Sequence, residues 1–473
     1  MLKILHYYWS QYYDTGKMGG GIQVYLNNII KEQVKGNIVY TLSSGTEYDL
    51  SGKCKICKVN AKNSVTEDYT IVNSPMLAPS KASFYDLYKY MKDEILKNVL
   101  KDFLHKKGPF DVIHIHSFEG LTLSCLELKK EFPNTKFILS LHNYYSFCPQ
   151  VNLWCENKKN CIDYNDGERC LNCGAGLPVS SIVKKGYIVN TYLKRLGMTK
   201  VYQKTLSYCR KTYKKIYRKR ISKNAVEKTI EYSPLLFKKF REKNVQYINK
   251  YVDSVICVSS RVKDIATGFG VDTQKCKVLY IGTNFASKQL NSPVYTYDGG
   301  YFSIIYMGYM RHDKGFYFLL ECLKRIPISI SKQLRVIIAA RHDDIDAVLK
   351  LKDLRNRFKA IDLYNGYTHE NIHEIINGCN LGIVPVMWED NLPQVSMELK
   401  AMGIPVLSSN LGGASELTKC DAFCFQAGDC DSFITKLKNI IDNPVLLQMY
   451  YKEGFRLNTI DEHCCELDNI YIL

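Results

Sequence analysis

Short apolar runs alternate with segments of helical periodicity in two parts of the chain, from Leu2 to about Leu141 and from Val255 to about Phe425. This alternation is typical of parallel sheets that are covered by helices on both faces. It predicts an α/β fold with two parallel sheets facing a cleft. The predicted strands are Leu2–His6, Asn37–Leu42, Val112–Ile115, Phe137–Leu141, Phe302–Met307, Arg335–Ala339, Ile361–Tyr364, Leu381–Pro385, Val406–Ser408 and Ala422–Phe425.

Residues 148–250 interrupt this alternation with a cysteine-rich loop and a basic, tyrosine-rich helical stretch. We interpret the segment as an insertion in the first domain. A chain of 473 residues exceeds the size at which one hydrophobic core keeps growing, which also favours two domains. The predicted division is 1–289 for the first domain, 290–443 for the second, and 444–473 for a helical tail that packs back on the first domain.

Positive charge is concentrated in one segment. The net charge is +17, and the stretch from Lys184 to Lys223 has fourteen Lys or Arg residues and no Asp or Glu. Apolar residues recur in it at helical spacing, which predicts an amphipathic helix with a cationic face. Such a face either attracts anionic lipid headgroups or is an ordinary solvated surface, and the pattern leaves both readings open. The recurring residues are Tyr202, Leu206, Cys209, Tyr213 and Ile216.

No run approaches the roughly 20 apolar residues needed to span a bilayer, so any membrane contact is expected to be peripheral. The first residues lack the cleavage pattern of a signal peptide. We therefore expect a cytoplasmic protein whose eighteen cysteines stay reduced.

Five cysteines cluster between residues 148 and 173 and end in a Cys-x2-Cys pair. Four thiolates complete a tetrahedral zinc site, and the loop has little else to fold around. We predict a structural zinc ion with one spare cysteine, while an iron–sulfur cluster and free thiols remain alternatives. The candidate ligands are Cys148, Cys155, Cys161, Cys170 and Cys173.

The most informative stretch runs from Pro385 to Val406. A buried strand ends there in a polar loop, and a helix begins near Pro393, a residue suited to a first turn. Free backbone amides at such a helix start form an anion site. Asp390 and Glu398 can bracket a polyhydroxylated ligand with charge-assisted hydrogen bonds.

This stretch resembles the acidic signature of retaining glycosyltransferases of family four, which have the GT-B fold of two Rossmann-like domains. The family has a Glu, seven residues and a second Glu, followed by Ala-Met-Ala-x-Gly-x-Pro-Val. Asp390 takes the first acidic place and Glu398 the second, and residues 401–406 follow one residue short of the usual spacing. Glu389 is a competing choice for the first place, and an ordinary helix start with solvated acids is the plainer reading.

The resemblance implies roles for these residues. Asp390 would hold hydroxyls of the donor sugar and Glu398 the nucleotide ribose, while the amides of Asn391 and Leu392 approach sugar and phosphate. No general base is assigned, because in this family the donor phosphate oxygen takes the acceptor proton.

Upstream, the segment from Ile304 to Gly315 resembles the strand, Gly-Arg turn and Lys-Gly helix start of the same family. The family's Arg and Lys neutralise the donor diphosphate, as a multiply charged leaving group requires. Gly308 and Lys314 match this pattern. Tyr309 stands in the place of the Arg, and Arg311 is the candidate substitute.

In the first half, a glycine run that includes Gly20 and Gly21 resembles the family's N-terminal glycine loop, where backbone approaches the donor closely. His142 follows a predicted strand at the place where the family has a His near the reacting sugar. The next residue is Asn143, where the family usually has Asp. His114 and His116 are interpreted as structural residues or as residues that support the site without contacting the ligand.

The resemblance implies a retaining glycosyltransferase that uses a UDP- or GDP-sugar and a glycan or lipid-linked acceptor, in surface polysaccharide synthesis, with no catalytic cofactor. A zinc-stabilised nucleic-acid-binding protein is the alternative from another class. It leaves the C-terminal pattern unexplained, so no nucleic-acid partner is expected. A phosphorylase or epimerase of similar architecture is a further alternative, because fold does not fix the reaction.

Overall fold

The computed structural model of the chain describes residues 1–13, 20–80, 87–156, 158–161, 163–173, 180–198, 233–295, 297, 299–368 and 370–472. Its strands are Lys3–Tyr7 (β1), Ile38–Glu47 (β2), Lys55–Val59 (β3), Glu67–Val72 (β4), Val112–Ile115 (β5), Lys136–Leu141 (β6), Trp154–Cys155 (β7), Lys159–Asn160 (β8), Ser254–Cys257 (β9), Cys276–Val278 (β10), Phe302–Gly308 (β11), Leu334–Ala340 (β12), Ala360–Asn365 (β13), Leu381–Val384 (β14), Val406–Ser409 (β15) and Cys424–Phe425 (β16).

Helices connect and cover these strands. The α-helices of the described residues are Gly20–Gln33 (α1), Leu87–Lys92 (α2), Ile95–Lys107 (α3), Glu168–Cys173 (α4), Ser180–Arg195 (α5), Pro234–Tyr251 (α6), Ser260–Gly268 (α7), Phe316–Arg325 (α8), Ile328–Ser331 (α9), Ile345–Asp353 (α10), Ile372–Ile375 (α11), Gln394–Ala401 (α12), Cys430–Asp442 (α13), Val445–Lys452 (α14) and Ile460–Ile472 (α15). None of the described helices is both long enough and apolar enough to cross a bilayer.

The first sheet has the strand order β10-β9-β6-β5-β1-β2-β4-β3, and every pair is parallel except β3 with β4. Its central strands are short apolar runs with both faces buried, such as β5, whose four residues are all buried. Parallel register places His6 of β1 beside His114 of β5. The topological switch point of this sheet lies at β1, which has β2 on one side and β5 on the other.

The second sheet is entirely parallel, with the order β13-β12-β11-β14-β15-β16. Numbered from its first strand, this is 3-2-1-4-5-6, the order of the dinucleotide-binding doubly wound fold. The topological switch point lies between β11 and β14, and ligands of such sheets bind beyond the carboxyl ends of the strands at this point.

All ten predicted strands are present, with ends shifted by a few residues and the last reduced to Cys424–Phe425. The sequence pattern does not predict β3 and β4, whose mixed polar composition hides them. It assigns residues from Val255 onward to the second alternation, but β9 and β10 pair with the first sheet. The predicted boundary near residue 290 falls between β10 and β11.

The predicted tail, 444–473, divides between the two domains: Tyr451 of α14 donates to the Lys400 carbonyl oxygen of the second domain at 3.0 Å, whereas α15 returns to the first domain and packs against α1. Tyr25 and His463 share a hydrogen bond of 2.8 Å, and the side chains of Gln33 and Tyr471 meet in the same interface. Most of the basic stretch lies outside the described residues, including Lys214, Lys215, Arg218 and Lys219; its described part is residues 184–198, which begin within α5 and end three residues after it.

Candidate functional site

A cleft of about 540 Å³ lies between the carboxyl ends of the two sheets. Both switch points open into it. From the second domain it receives the loops after β11 and β14, and from the first domain the loops after β1, β5 and β6. A cleft of this size holds a small organic ligand. It contains every residue that the sequence singled out for the donor site: Gly20, Gly21, His142, Gly308, Arg311, Lys314, Asp390, Asn391, Leu392 and Glu398.

Lys314 and Asp390 join the two loops of the second switch point. The Lys314 ammonium donates a hydrogen bond to the Asp390 carboxylate and lies 5.2 Å from the centre of the Trp388 ring. Gly315 has φ +73°, and a Cβ there would lie 1.6 Å from the carbonyl oxygen of Pro385. The loop before α8 is therefore pressed directly onto the loop after β14, which fixes the ammonium beside the carboxylate.

The two neighbouring acids of this loop have different surroundings. Glu389 accepts two hydrogen bonds from the Arg261 guanidinium, at 2.6 and 2.9 Å, and one from the backbone N–H of Gly412 at 3.1 Å. The oxygens of the Glu389 carboxylate are therefore already hydrogen-bonded to other groups of the protein. Asp390 lines the cleft instead, with the Lys314 ammonium as its side-chain partner.

Gly412 and Gly413 pack against the backbone of the loop that contains Asp390. Gly412 has φ +72°, and a Cβ there would lie 2.1 Å from the Asp390 carbonyl oxygen. The N–H of Gly413 donates to this same oxygen at 2.9 Å. The position of Asp390 thus depends on a turn that only glycine fits.

Glu398 lies in the second turn of α12 and lines the cleft. Burial raises the pKa of its carboxyl to about 7. At the start of the same helix, the Gln394 amide donates to the Gly21 carbonyl oxygen at 2.9 Å. The glycine run and the acidic helix therefore meet across the cleft.

Arg311 extends along the cleft from the loop after β11, with about half of its side chain exposed. It forms a bidentate ion pair with the buried Asp313, including a hydrogen bond of 2.9 Å from Nε. Tyr309, which stands in the family's Arg place, also lines the cleft. Two cations from the loop after β11, Arg311 and Lys314, thus line the cleft.

Asn391 connects the acidic loop to the first domain. Its Nδ2 donates to the carbonyl oxygen of Leu141 at 3.2 Å, and Ser259 Oγ donates to its backbone oxygen at 2.8 Å. Its buried Oδ1 has no hydrogen-bond partner among the described residues. This contact sets the loop against the end of β6, one residue before His142.

His142 and the glycine run form the facing wall. Gly20 and Gly21 are the first residues of α1, and the Tyr25 ring of the same helix lies 4.7 Å from the His142 ring. Burial lowers the pKa of His142 to about 3, so its imidazole is neutral at physiological pH. The Nε2 of His142 lies 3.2 Å from Nδ1 of His116.

Sequence reasoning missed a carboxylate in this wall. Glu119 follows β5, lines the cleft and is fully buried, which raises its pKa. It accepts hydrogen bonds from the backbone N–H of Ser80 at 2.7 Å and from the amide of Asn143 at 3.1 Å. An acid in the short loop after a central parallel strand was the available signal.

His114 and His116 are completely buried, and His6 beside them is 2% exposed. Across the described part of the chain, these three form the only group whose potential metal-ligating atoms all lie within 4.8 Å of one another. All six ring nitrogens already have hydrogen-bond partners.

The five clustered cysteines surround one small cavity beside Trp154 and Arg241. All are free thiols, and no three of these described sulfurs lie within 4.8 Å of one another. The zinc site therefore stays a prediction. The candidate ligands that line the cavity are Cys148, Cys155, Cys161, Cys170 and Cys173.

The second domain matches a family model in a comparison with known proteins. Residues 301–443 match the family model "Glycosyl transferases group 1". A segment of 78 residues is 32% identical to the UDP-Gal:alpha-D-GlcNAc-diphosphoundecaprenol alpha-1,3-galactosyltransferase of Escherichia coli. This match covers 16% of the chain and about a fifth of the length of that relative.

Solved structures resemble the whole chain. HepE of Anabaena in complex with UDP has a TM-score of 0.56 at 13% identity, with both chains fully covered. Sucrose-phosphate synthase of Thermosynechococcus elongatus has 0.55 at 14%, covering 100% of this chain and 98% of the other. The lipopolysaccharide outer core galactosyltransferase WaaB has 0.55 at 12%, with full coverage of both. The predicted GT-B fold class is thereby confirmed.

Proposed function

Because residues 301–443 are a glycosyl transferases group 1 domain, we propose that the chain transfers a sugar from a nucleotide-diphosphate sugar to an acceptor hydroxyl. The observation that carries the proposal is the Lys314–Asp390 pair at the switch point, with Glu398 beside it and His142 on the facing wall. This arrangement supplies cations for a diphosphate and acceptors for sugar hydroxyls within one cleft.

The donor lies with its diphosphate against Lys314, Arg311 and the start of α12. Departure of the nucleoside diphosphate leaves negative charge on its phosphates, and pre-placed cations and helix amides stabilise that charge. Asp390 accepts hydrogen bonds from sugar hydroxyls, and Glu398 from the ribose. We favour a UDP-sugar, because the HepE structure contains UDP and the Escherichia coli relative is named for UDP-Gal.

The reaction proceeds with retention of the anomeric configuration. A neutral His142 serves as a hydrogen-bond partner for the sugar rather than as an acid. Glu119 is occupied by protein donors and supports Asn143. The donor phosphate oxygen therefore takes the acceptor proton, and the chain contributes alignment and electrostatics.

The acceptor is a lipid-linked glycan at a membrane surface, used in surface polysaccharide synthesis. The relative's name includes a diphosphoundecaprenol acceptor. At the start of the basic stretch, α5 and the residue that follows it expose a row of apolar side chains, Ile182, Val189 and Leu196. An apolar row beside many cations suits the interface of an anionic membrane.

The test is a panel of radiolabelled UDP- and GDP-sugars, incubated with the protein with and without membrane lipid extract. Release of nucleoside diphosphate from one donor, and transfer of label to the lipid phase, are the expected results. The anomeric configuration of the product, read by proton NMR, tests retention. Absence of turnover with every donor, or turnover only with inorganic phosphate as acceptor, would overturn the proposal.

A further inference from the structure

Arg241 of α6 is a buried cation beside the five cysteines. It is only 3% exposed, and its Nη2 lies 3.1 Å from the sulfur of Cys170. Its Nη1 donates to the Phe237 carbonyl oxygen at 3.0 Å, its guanidinium lies 3.9 Å from the Tyr164 ring centre, and its Nε has no partner among the described residues. No described carboxylate pairs with it.

A guanidinium keeps its charge at any physiological pH, and a buried charge without a counter-charge is costly. Four thiolates around a divalent ion carry a net charge of −2. Such a centre is the counter-charge that Arg241 lacks. A second donor points the same way, because the backbone N–H of Glu156 donates to the Cys173 sulfur at 3.2 Å.

We propose that Cys170, Cys173 and two of the other three cysteines bind one zinc ion, and that Arg241 neutralises part of the resulting charge. Tetrahedral zinc–thiolate bonds of about 2.3 Å bring the sulfurs to about 3.8 Å from one another, so the metal draws the cysteines inward around their shared cavity. The centre also supports the cleft. The β7–β8 hairpin lies within the cysteine loop, and its Asn160 donates to Glu389 at 3.2 Å.

Metal analysis of protein purified under reducing, chelator-free conditions tests this inference. We expect about one zinc per chain, lost in the double variant Cys170→Ser, Cys173→Ser. The matched control is Cys54→Ser, Cys57→Ser, a pair of the same spacing near β3. Single serine substitutions at Cys148, Cys155 and Cys161 should identify one spare residue.

Arg241→Met should weaken zinc affinity at least tenfold against a chromophoric chelator, with partial recovery in Arg241→Lys. Cobalt added to chelator-stripped protein gives a second readout, since thiolate ligation produces intense charge-transfer absorption. Metal-free native protein, zinc retained by the Cys170, Cys173 variant, or equal loss in the control would overturn the proposal.

A different set of contacts leads from the cleft into the core of the first domain. The rings of His142, His116 and His6 follow one another, with His116 Nδ1 3.2 Å from His142 Nε2 and His6 Nδ1 2.9 Å from His116 Nε2. His6 Nε2 then lies 2.8 Å from Gln33 Oε1. Burial lowers the pKa of all three histidines, to about 3 for His142 and about 4 for His6. Each neutral ring has one donor and one acceptor, so the row has a direction.

The direction is set at the far end. The oxygen of the Gln33 amide faces His6, because Oε1 lies 2.8 Å from His6 Nε2 and an amide oxygen only accepts hydrogen bonds. The Gln33 amide nitrogen donates to Tyr471 OH at 3.5 Å, and the same hydroxyl lies 2.6 Å from His114 Nδ1. This orientation leaves Gln33 Oε1 as the acceptor for His6.

We infer that Gln33, His6 and His116 hold His142 in the tautomer protonated on Nε2. His6 donates to Gln33 from Nε2, His116 to His6 from Nε2, and His142 to His116 from Nε2. The Nδ1 of His142 has no hydrogen-bond partner among the described residues and is left as an acceptor. This inference rests on the proposed function, in which Nδ1 of His142 accepts a hydrogen bond from a hydroxyl of the donor sugar. Gln33, His6 and His116 are then positioning residues, because they act through His142.

Nitrogen-15 spectra of the histidine side chains identify the tautomer of each ring without any turnover. In the native protein, His142, His116 and His6 should all be protonated on Nε2. In Gln33→Met, the direction is lost, so we expect a mixed His142 tautomer and a fall in kcat of roughly tenfold, the effect of one unmade buried hydrogen bond. Gln33→Glu keeps an acceptor and should preserve the tautomer.

Gln23→Met is the matched control, because Gln23 is also a buried glutamine of α1 but donates to the Gln11 carbonyl oxygen. It should leave the three histidine tautomers unchanged. A native His142 protonated on Nδ1, or an unchanged tautomer in folded Gln33→Met, would overturn the inference. A correct tautomer in a protein without sugar transfer would contradict the proposed function alone.

Discussion

Lys314 donates a hydrogen bond from Nζ to Oδ2 of Asp390, and this contact joins the two loops that leave the second sheet at its switch point. Before a ligand binds, each group is the other's counter-charge. A bound donor would divide them, with phosphate oxygens on the ammonium and sugar hydroxyls on the carboxylate. The pair is therefore expected to act as one unit in donor binding and turnover.

The first prediction concerns this coupling. Asp390→Asn and Lys314→Met should each lower kcat/KM for the donor at least tenfold, since each removes a charged partner of a bound group. The double variant should lose less than the product of the two losses, because residues in contact are not additive. Lys314→Met should also weaken binding of a nucleoside diphosphate more than binding of the free sugar, as measured by calorimetry.

Glu389→Gln is the control for Asp390→Asn. Because Glu389 is paired with Arg261 and Gly412, its substitution should lower the melting temperature. Its loss of turnover should be smaller than that of Asp390→Asn. A greater loss of turnover in Glu389→Gln than in Asp390→Asn would assign the first acidic place to Glu389.

The strands at the second switch point could be predicted because β11 and β14 are largely apolar runs followed by loops with charged residues. The pairing of Glu389 with Arg261 could not, since the two are 128 residues apart and no local pattern connects them. Likewise, His6 meets His114 only because β1 and β5 are parallel in one register. Local sequence indicates which residues lie at strand ends, while sheet order and register decide which of them meet.

The second prediction is a pH dependence from Glu398. Burial raises its pKa to about 7, so the folded protein holds this proton more tightly than the unfolded chain. The free energy of unfolding should therefore fall as pH rises from about 4.5 to about 7, and the contribution should be constant above that range. Thermal unfolding of the wild type and Glu398→Gln over this range should show a difference that varies with pH.

Donor binding should have the opposite dependence. Only ionised Glu398 accepts hydrogen bonds on both oxygens, so affinity for a UDP-sugar should rise through about pH 7. The phosphates of a UDP-sugar keep the same charge in this range, which leaves the protein as the titrating partner. Affinity in Glu398→Gln should be nearly independent of pH, and an equally steep profile in that variant would place the titration elsewhere.

The third prediction distinguishes two effects of a glycine substitution on donor affinity: displacement of the Asp390 loop and the cost of a positive φ. In Gly412→Ala, the new Cβ would meet the Asp390 carbonyl oxygen at 2.1 Å, so the loop must move. Gly366→Ala is the matched control, since Gly366 has φ +81° and a Cβ added there would meet nothing within 4 Å. Both variants carry the cost of a positive φ, roughly 1 kcal/mol. Donor affinity, measured by calorimetry, should fall in Gly412→Ala and stay near wild type in Gly366→Ala.

The last prediction concerns the basic stretch from Lys184 to Lys223. Its potential falls off over about 8 Å at physiological salt, so it acts only on a surface that it nearly touches. Each cation near an anionic membrane contributes about 1 kcal/mol. We expect cosedimentation with phosphatidylglycerol vesicles, weakened by high salt, and little with neutral phosphatidylcholine vesicles. Charge reversal of Lys214, Lys215, Arg218 and Lys219 should weaken binding at least about a hundredfold.

The control reverses four exposed cations of the same composition on the second domain, Lys350, Lys352, Arg355 and Lys359. This variant changes the net charge equally and should retain vesicle binding, which distinguishes a local surface from overall charge. Ile182→Ser with Leu196→Ser should weaken the part of the binding that survives high salt, because these exposed side chains at α5 would enter the interface. Donor hydrolysis without acceptor should survive all three changes, because the donor cleft is built by other residues. Equal vesicle binding by the two charge-reversed proteins would identify the basic stretch as an ordinary solvated surface.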